Sequence, residues 1–192
     1  MKRAAKRIVS LLALAATWPL AALARWTSSE SLFVGFGQAL ALIPGLTGSY
    51  LRAAYLRQTL KHASNSCRIG FGSYFSHREA SLAEGVYIGA YCIIGMADIG
   101  AHATIASRVS ILSGRRQHAF DDATPPIQQQ GGAFSRVRIG ENSWIGEGSV
   151  VMADIGDRCV VGAGSVVTKD HDGGLVLAGN PARVPRHLEG QP

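Results

Sequence analysis

Six histidines hold most of the near-neutral acid–base capacity of this 192-residue chain, and one of them stands in a distinctive setting. His118 opens the stretch Gly114 to Arg136, GRRQHAFDDATPPIQQQGGAFSR, which holds Pro125-Pro126 and Gly131-Gly132. A neutral imidazole there can take a proton from a hydroxyl or an amine. A long loop on a rigid scaffold is where such chemistry concentrates. The plain alternative is a solvated loop histidine. His77, in the irregular stretch SYFSHREAS, is the rival base. By the spacing described next, His102 falls at a corner, and His62, His171 and His187 fall outside the repeat.

The elements that must position these groups announce themselves by an apolar-Gly doublet. It recurs as Ile139-Gly140, Ile145-Gly146, Ile155-Gly156 and Val161-Gly162. An earlier block has Ile69-Gly70, Ile88-Gly89, Ile94-Gly95 and Ile99-Gly100, continuing at Ile105 and Ile111. A period of six is neither the 3.6 of a helix nor the alternation of a hairpin strand. It marks a chain that turns a corner every six residues and stacks as a parallel β-helix. The coil is expected from about residue 67 to 167, with 114–136 as an excursion out of it. Two identical segments, Met96-Ala97-Asp98-Ile99-Gly100 and Met152-Ala153-Asp154-Ile155-Gly156, shorten the repeat and read as trimmed corners. The three cysteines, Cys67, Cys92 and Cys159, form no CxxC pair and read as small inward-facing core residues.

Charge divides the chain at residue 61. Residues 1–61 hold eight Lys/Arg against Glu30 alone, whereas residues 62–192 hold eleven Lys/Arg and twelve Asp/Glu. The basic excess flanks apolar runs, which suits an anionic membrane surface better than nucleic acid. Residues 8–24 follow a basic start and end in Ala22-Leu23-Ala24, resembling a secretory signal peptide. A second apolar run spans Ser31 to Leu51. Three arrangements remain: a hairpin entering and leaving the bilayer, two segments lying in the interface, or two buried helices of a soluble cap. Lys2, Arg3, Lys6 and Arg7 at one end, with Arg52, Arg57 and Lys61 at the other, place both ends on the cytoplasmic side. Residues 50–61 read as a helix with one apolar side and Arg52 off it. The division expected is a membrane-associating helical segment over 1–61 and a β-helix domain over 62–192.

The doublets, the looped-out histidine and the tail WIGEGSVV…VVGAGSVVTKD…AGNPARV together resemble the hexapeptide-repeat acyltransferases. More narrowly, they resemble the maltose, galactoside and colanic-acid O-acetyltransferases, with an N-terminal apolar third as in exopolysaccharide and O-antigen acetyltransferases. The resemblance covers roughly residues 67–187. It implies an all-β main domain, a left-handed parallel β-helix, and a homotrimer with sites between neighbouring coils. It implies acetyl-CoA as acyl donor and no metal. His118 matches the family's general base, and the backbone N–H of Glu147 matches its oxyanion donor. Trp144 would wall the acetyl site. Gly162, Ala163, Gly164 and Ser165 would admit the pantetheine arm, and Thr168, Lys169 and Arg183 match contacts to the cofactor, the two cations suiting its phosphates. An acceptor-holding Asn of the maltose and galactoside enzymes aligns with Gly89, so acceptor identity does not transfer. Arg115 and Arg116 are placed to meet a phosphate or acidic sugar, or to form a solvated turn. Asp121 or Asp122 is placed to orient the imidazole.

The function this implies is O-acetylation of a sugar hydroxyl of a cell-surface or exopolysaccharide precursor, lipid-linked acceptors included, at the cytoplasmic face of a bacterial inner membrane. N-acetylation of an amino sugar uses the same base and donor, so only the acceptor separates the two. A non-catalytic scaffold would need neither VVGAGSVVTKD nor GNPARV. A zinc β-helix needs a histidine pair five residues apart, and no pair has that spacing.

Overall fold

The computed structural model describes residues 2–188. Its main body is the expected left-handed parallel β-helix, with three faces. The first face stacks His62–Ala63, Ser81–Leu82, Ala97–Ile99 and Val137–Ile139, then single bridges at Ile155 and His171. The second stacks Arg68–Ile69, Tyr87–Ile88, Thr104–Ile105, Trp144–Ile145, Val160–Val161 and Leu175–Ala178, closed by antiparallel Arg183–His187. The third stacks Tyr74–Phe75, Ile93–Ile94, Ser110–Ile111, Val150–Val151 and Val166–Val167. In the two-residue strands of the coil proper the second side chain points inward, so Ile69, Ile88, Ile105, Ile145, Val161 and Leu177 form one buried column.

The inward residues measure the corners. From the first face to the second the step is six in every turn: Ala63 to Ile69, Leu82 to Ile88, Ile99 to Ile105, Ile139 to Ile145, Ile155 to Val161, His171 to Leu177. From the second to the third it is also six throughout, as from Ile88 to Ile94 and from Ile145 to Val151. Only the third corner varies: Phe75 to Leu82, Ile94 to Ile99, Ile111 to Ile139, Val151 to Ile155, Val167 to His171. Both trimmed corners fall there, and so does the whole 114–136 excursion.

The constant corners have a physical reason. Rungs stack so closely that a Cβ on Gly140 would lie 2.2 Å from the Gly156 carbonyl carbon. Every such corner after the one from Ala63 to Ile69 also carries a left-handed residue, among them Tyr91, Arg108, Gly148 and Gly164 on one edge and His102, Asn142 and Arg158 on the other. The small inward residues serve these turns: Ser149 Oγ donates to Gly162 O at 3.0 Å and Ser143 Oγ to Gly156 O at 2.9 Å. All three cysteines are buried in such positions, and burial pushes their thiols above the usual range.

Two boundaries differ from the sequence reading. The coil begins at His62 and runs to Leu177, so His62 and His171 belong to it. His171 occupies an inward position where the rungs before it carry isoleucine, and a histidine there hides the period. The N-terminal third forms three helices: α1 (Lys2–Trp26), α2 (Glu30–Ala41) and α3 (Gly45–Thr59). At 12 residues α2 is shorter than the roughly 20 residues a bilayer span needs, and its Phe33, Leu40 and Ala41 are buried. Helices α2 and α3 cap the first turn of the coil. Arg52 is buried, not a surface charge: its guanidinium donates to the carbonyls of Leu40, Ile43 and Ile69 at 3.1, 2.8 and 3.2 Å. It thus satisfies the open C-terminal end of α2, and burial lowers its pKa. The side chains of Lys2 and Arg3 lie outside the described residues.

Candidate active site

The predicted site residues fall into two groups at opposite edges of the third face. One group gathers at the variable corner. There His118, Arg115 and Arg116 leave on the excursion, and Thr168 and Lys169 sit at the same corner two turns further on. The excursion is a ribbon fastened at its base: Ala133 N–H donates to Arg116 O at 2.7 Å, Ala119 N–H to Gly131 O at 2.6 Å, and Ser135 N–H to Ser113 O at 3.0 Å. Arg115 Nη1 donates to Thr168 O at 2.7 Å, which ties the loop directly to the tail. His118 and Arg116 are exposed.

The rival base stands beside the same loop. The His77 ring lies 5.0 Å from that of Phe134 on the returning limb. Asp122 is occupied as a turn cap, its carboxylate accepting Thr124 N–H at 2.9 Å, while Asp121 is exposed. Gly89 cannot carry a side chain, since a Cβ there would lie 2.6 Å from Ser107 N. An acceptor-binding amide is therefore sterically excluded from that position.

The second group lies at the constant corner between the second and third faces. Trp144 projects outward from the second face and is 52% exposed, so coil packing does not account for it. Three residues on, the Glu147 N–H donates to no acceptor among the described residues. One rung further, the Ala163 N–H is likewise unused. The amides around it are committed: Gly162 to Leu177 O and Gly164 to Glu147 O, both at 2.8 Å, and Ser165 to Gly162 O at 3.3 Å. Of the four small residues, only Ala163 therefore offers an amide to a ligand. Gly164, left-handed at φ 69°, leaves the surface above it open. Ser165 is buried, and its hydroxyl accepts Gly179 N–H at 3.2 Å. Arg183 begins the antiparallel strand at the end of the second face and is exposed, as is Lys169; neither pairs with a carboxylate among the described residues.

Arg108 escaped the sequence reading. Its guanidinium pairs with the Glu147 carboxylate across one rung and holds that side chain at the corner surface. The only signal was its place three residues after Ile105, where the turn requires a left-handed residue. Together the groups provide a proton acceptor, a free backbone donor pair stacked along one edge, and unpaired cations at the tail. That inventory suits acyl transfer with an anionic donor. Among the described residues, no cluster of three or more metal-ligating side chains occurs.

Comparison with known proteins agrees with this chemistry. Residues 136–169 match the family described as the hexapeptide repeat of succinyl-transferase. A maltose O-acetyltransferase from Clostridium difficile 630 is 26% identical, with a TM-score of 0.71 over 84% of this chain and 89% of that one. A galactoside acetyltransferase in complex with coenzyme A is 25% identical, with a TM-score of 0.69 over 83% of this chain and 82% of that one. A hexapeptide-repeat acetyltransferase from Vibrio cholerae O1 biovar eltor, complexed with acetyl coenzyme A, shares the fold at 20% identity and a TM-score of 0.69, over 83% of this chain and 89% of that one. No curated protein matches the chain by sequence. Repeat and fold are those of an acyltransferase of the hexapeptide-repeat kind.

Proposed function

We propose that the chain is an acetyl-CoA-dependent O-acetyltransferase that modifies a hydroxyl of a saccharide destined for the cell surface, as a homotrimer at the cytoplasmic face of the inner membrane. The observation that carries the reading is the pairing of an exposed histidine on the variable corner with two unused amides on the adjacent constant corner. The bound donor supplies an acetyl thioester, whose carbonyl carbon is open to attack. His118 removes the proton of the attacking hydroxyl and passes it to the coenzyme A thiol that leaves as the thioester C–S bond breaks, a role worth about 10²- to 10⁴-fold in rate. The Glu147 N–H donates to a carbonyl oxygen beside it, already oriented by the turn. Ala163 N–H supports an extended ligand one rung along, with Trp144 as an apolar wall. Lys169 and Arg183 suit the phosphates of the donor.

The separation of the two groups supports the trimer. In one chain His118 and Glu147 flank opposite edges of the third face, so two copies side by side bring one copy's loop to the other's amides. Phe120, 71% exposed on the loop, offers an apolar contact for such a neighbour. The solved relatives named for maltose and galactoside favour a sugar hydroxyl over an amine. The test is incubation with labelled acetyl-CoA and membrane extract. Alkali-labile label in a saccharide is expected. Alkali-stable label would move the reading to the amino-sugar alternative, and no incorporation into any glycan would sink it.

A further inference from the structure

The helical third presents a second surface, remote in chemistry from the acyl-transfer site. Helix α1 has two unlike sides. Small residues Ala13, Thr17, Ala21 and Ala24 are buried. Along that side α1 packs against α3, where Gln58 Nε2 donates to Thr17 Oγ1 at 2.9 Å. The opposite side carries Ile8, Leu11, Leu12, Trp18, Leu23 and Trp26, all exposed, with Trp26 at 86%. From Ile8 to Trp26 that face extends about 27 Å at the usual helical rise. No charge interrupts it from Ile8 to Ala24. An uninterrupted apolar face of this length exceeds the scattered hydrophobics of an ordinary surface.

Cations rim this face. Lys6 and Arg7 stand at its start and Arg25 at its end, all exposed. Behind the start of α1, a cleft of about 320 Å³ opens between α1, α3 and the first turn of the coil, with Lys6, Tyr50, Arg57, Asn65 and Arg68 on its walls. Elsewhere Arg78, Arg108, Arg136 and Arg138 each pair with a carboxylate. Among the described residues Lys6, Arg7, Arg25, Arg57 and Arg68 pair with none.

We infer that α1 lies flat in the interface of an anionic phospholipid membrane, with its outward face among the acyl chains and the cleft at its start taking headgroup phosphates. Apolar face, outward tryptophans within it and at its end, and unpaired basic rim are the combination such a surface recognises. Crossing the bilayer is incompatible with the packing on α3, because Gln58 and Arg57 would follow into hydrocarbon. A second copy is a poor occupant, because it would set one segment with eight basic residues and one acid against another. The inference extends the membrane part of the proposed function and is independent of its acyl chemistry.

The experiment is flotation of the full-length chain with vesicles of phosphatidylcholine alone or mixed with phosphatidylglycerol, with no acetyl donor present. Binding to the mixed vesicles is expected, weaker on the neutral ones. Leu11→Gln with Trp18→Gln should lower it at least about tenfold, while circular dichroism and melting stay unchanged because both side chains face outward. Lys6→Gln with Arg57→Gln should lower binding to mixed vesicles on the order of fivefold per charge and narrow the gap between the two lipids. Single-tryptophan variants with brominated lipids should show Trp18 and Trp26 at similar depth. Equal binding to both lipids, a Trp18 much deeper than Trp26, or unchanged binding in the Leu11/Trp18 variant would overturn the inference. So would saturable binding of inorganic phosphate that abolishes flotation, which assigns the cleft to a free anion. Dissociation of the assembly by the Leu11/Trp18 variant, without vesicle binding by the parent, would assign the face to a second copy. Acetyl transfer to a soluble sugar in vesicle-free solution reads the catalytic proposal separately.

Discussion

Two corners of this coil never change length, whereas the third ranges from a step of four to one of twenty-eight. At the first two, inward side chains stand six positions apart in every turn, and every such corner after the one from Ala63 to Ile69 carries a left-handed residue. At the third, the step is four from Val151 to Ile155 and twenty-eight from Ile111 to Ile139. Rungs still touch at this corner, where a Cβ on Gly95 would lie 2.9 Å from Ser113 N, but no fixed residue count closes it, so it can shrink or grow a loop while the rungs keep their register. His77, His118, Thr168 and Lys169 all stand there. The constant corner contributes backbone: the Glu147 and Ala163 amides, set in turns of fixed length. Side-chain chemistry thus sits where the fold tolerates change, and preoriented dipoles where it does not.

The largest effect should come from the variable corner. His118→Ala should lower kcat by about 10²- to 10⁴-fold with melting unchanged, since the side chain is exposed. His77→Ala should act more mildly, through the Phe134 contact that steadies the loop. Full activity of the His118 variant would move the base to His77. The next test makes one substitution in both regions. Gly140→Ala sets a Cβ against the Gly156 backbone and should cost on the order of 3 kcal/mol, read as a fall in Tm. Gly131→Ala in the excursion meets nothing within 4 Å and should stay within about 0.5 kcal/mol. Equal costs would erase the distinction between the corners. A smaller effect is expected where the regions are tied. Arg115→Ala removes the bond to Thr168 O and should raise KM several-fold, with Tm moving by no more than about 2 °C.

The coil was legible because its inward residues are mostly isoleucine beside glycine, a pattern that only stacking explains. It faded at both ends for one reason. Ala63 begins the first turn and His171 the first-face position of the last, so the apolar mark is missing while the backbone continues. Cys92 and Cys159 were legible as core by phase alone. The apolar N-terminal runs were not resolved, because hydrophobicity does not say whether lipid or protein will cover a residue. Phe33 and Leu40 meet α3 and the first turn, whereas Leu11 and Leu12 are each 65% exposed. Arg52 misled as a flanking charge, since its partners are carbonyls brought together only by folding. The excursion showed by its lack of period, but the opposite placement of the two site groups became countable only with strand register.

The smallest expected effect tests the far end of the coil. His171 takes the inward place held by Ile99, Ile139 and Ile155 in the turns before it, and its Nε2 is buried with no hydrogen-bond partner among the described residues. Burial, and then the Lys169 charge, hold its pKa below the ordinary value, while Asp170 and Asp172 oppose the shift. The unfolded chain therefore takes up the proton first as pH falls. Stability from this group is complete above about pH 6.5, declines as pH falls below it, and levels off once the folded form protonates too. His171→Ile restores the column and removes the titration. The Tm of the variant should exceed that of the parent by a margin that widens below about pH 6.5, reaching on the order of 2 °C. A margin that stays constant with pH would show that the folded coil already admits water or a charge at its last turn. Its closed end would then behave like the variable corner rather than the stacked ones.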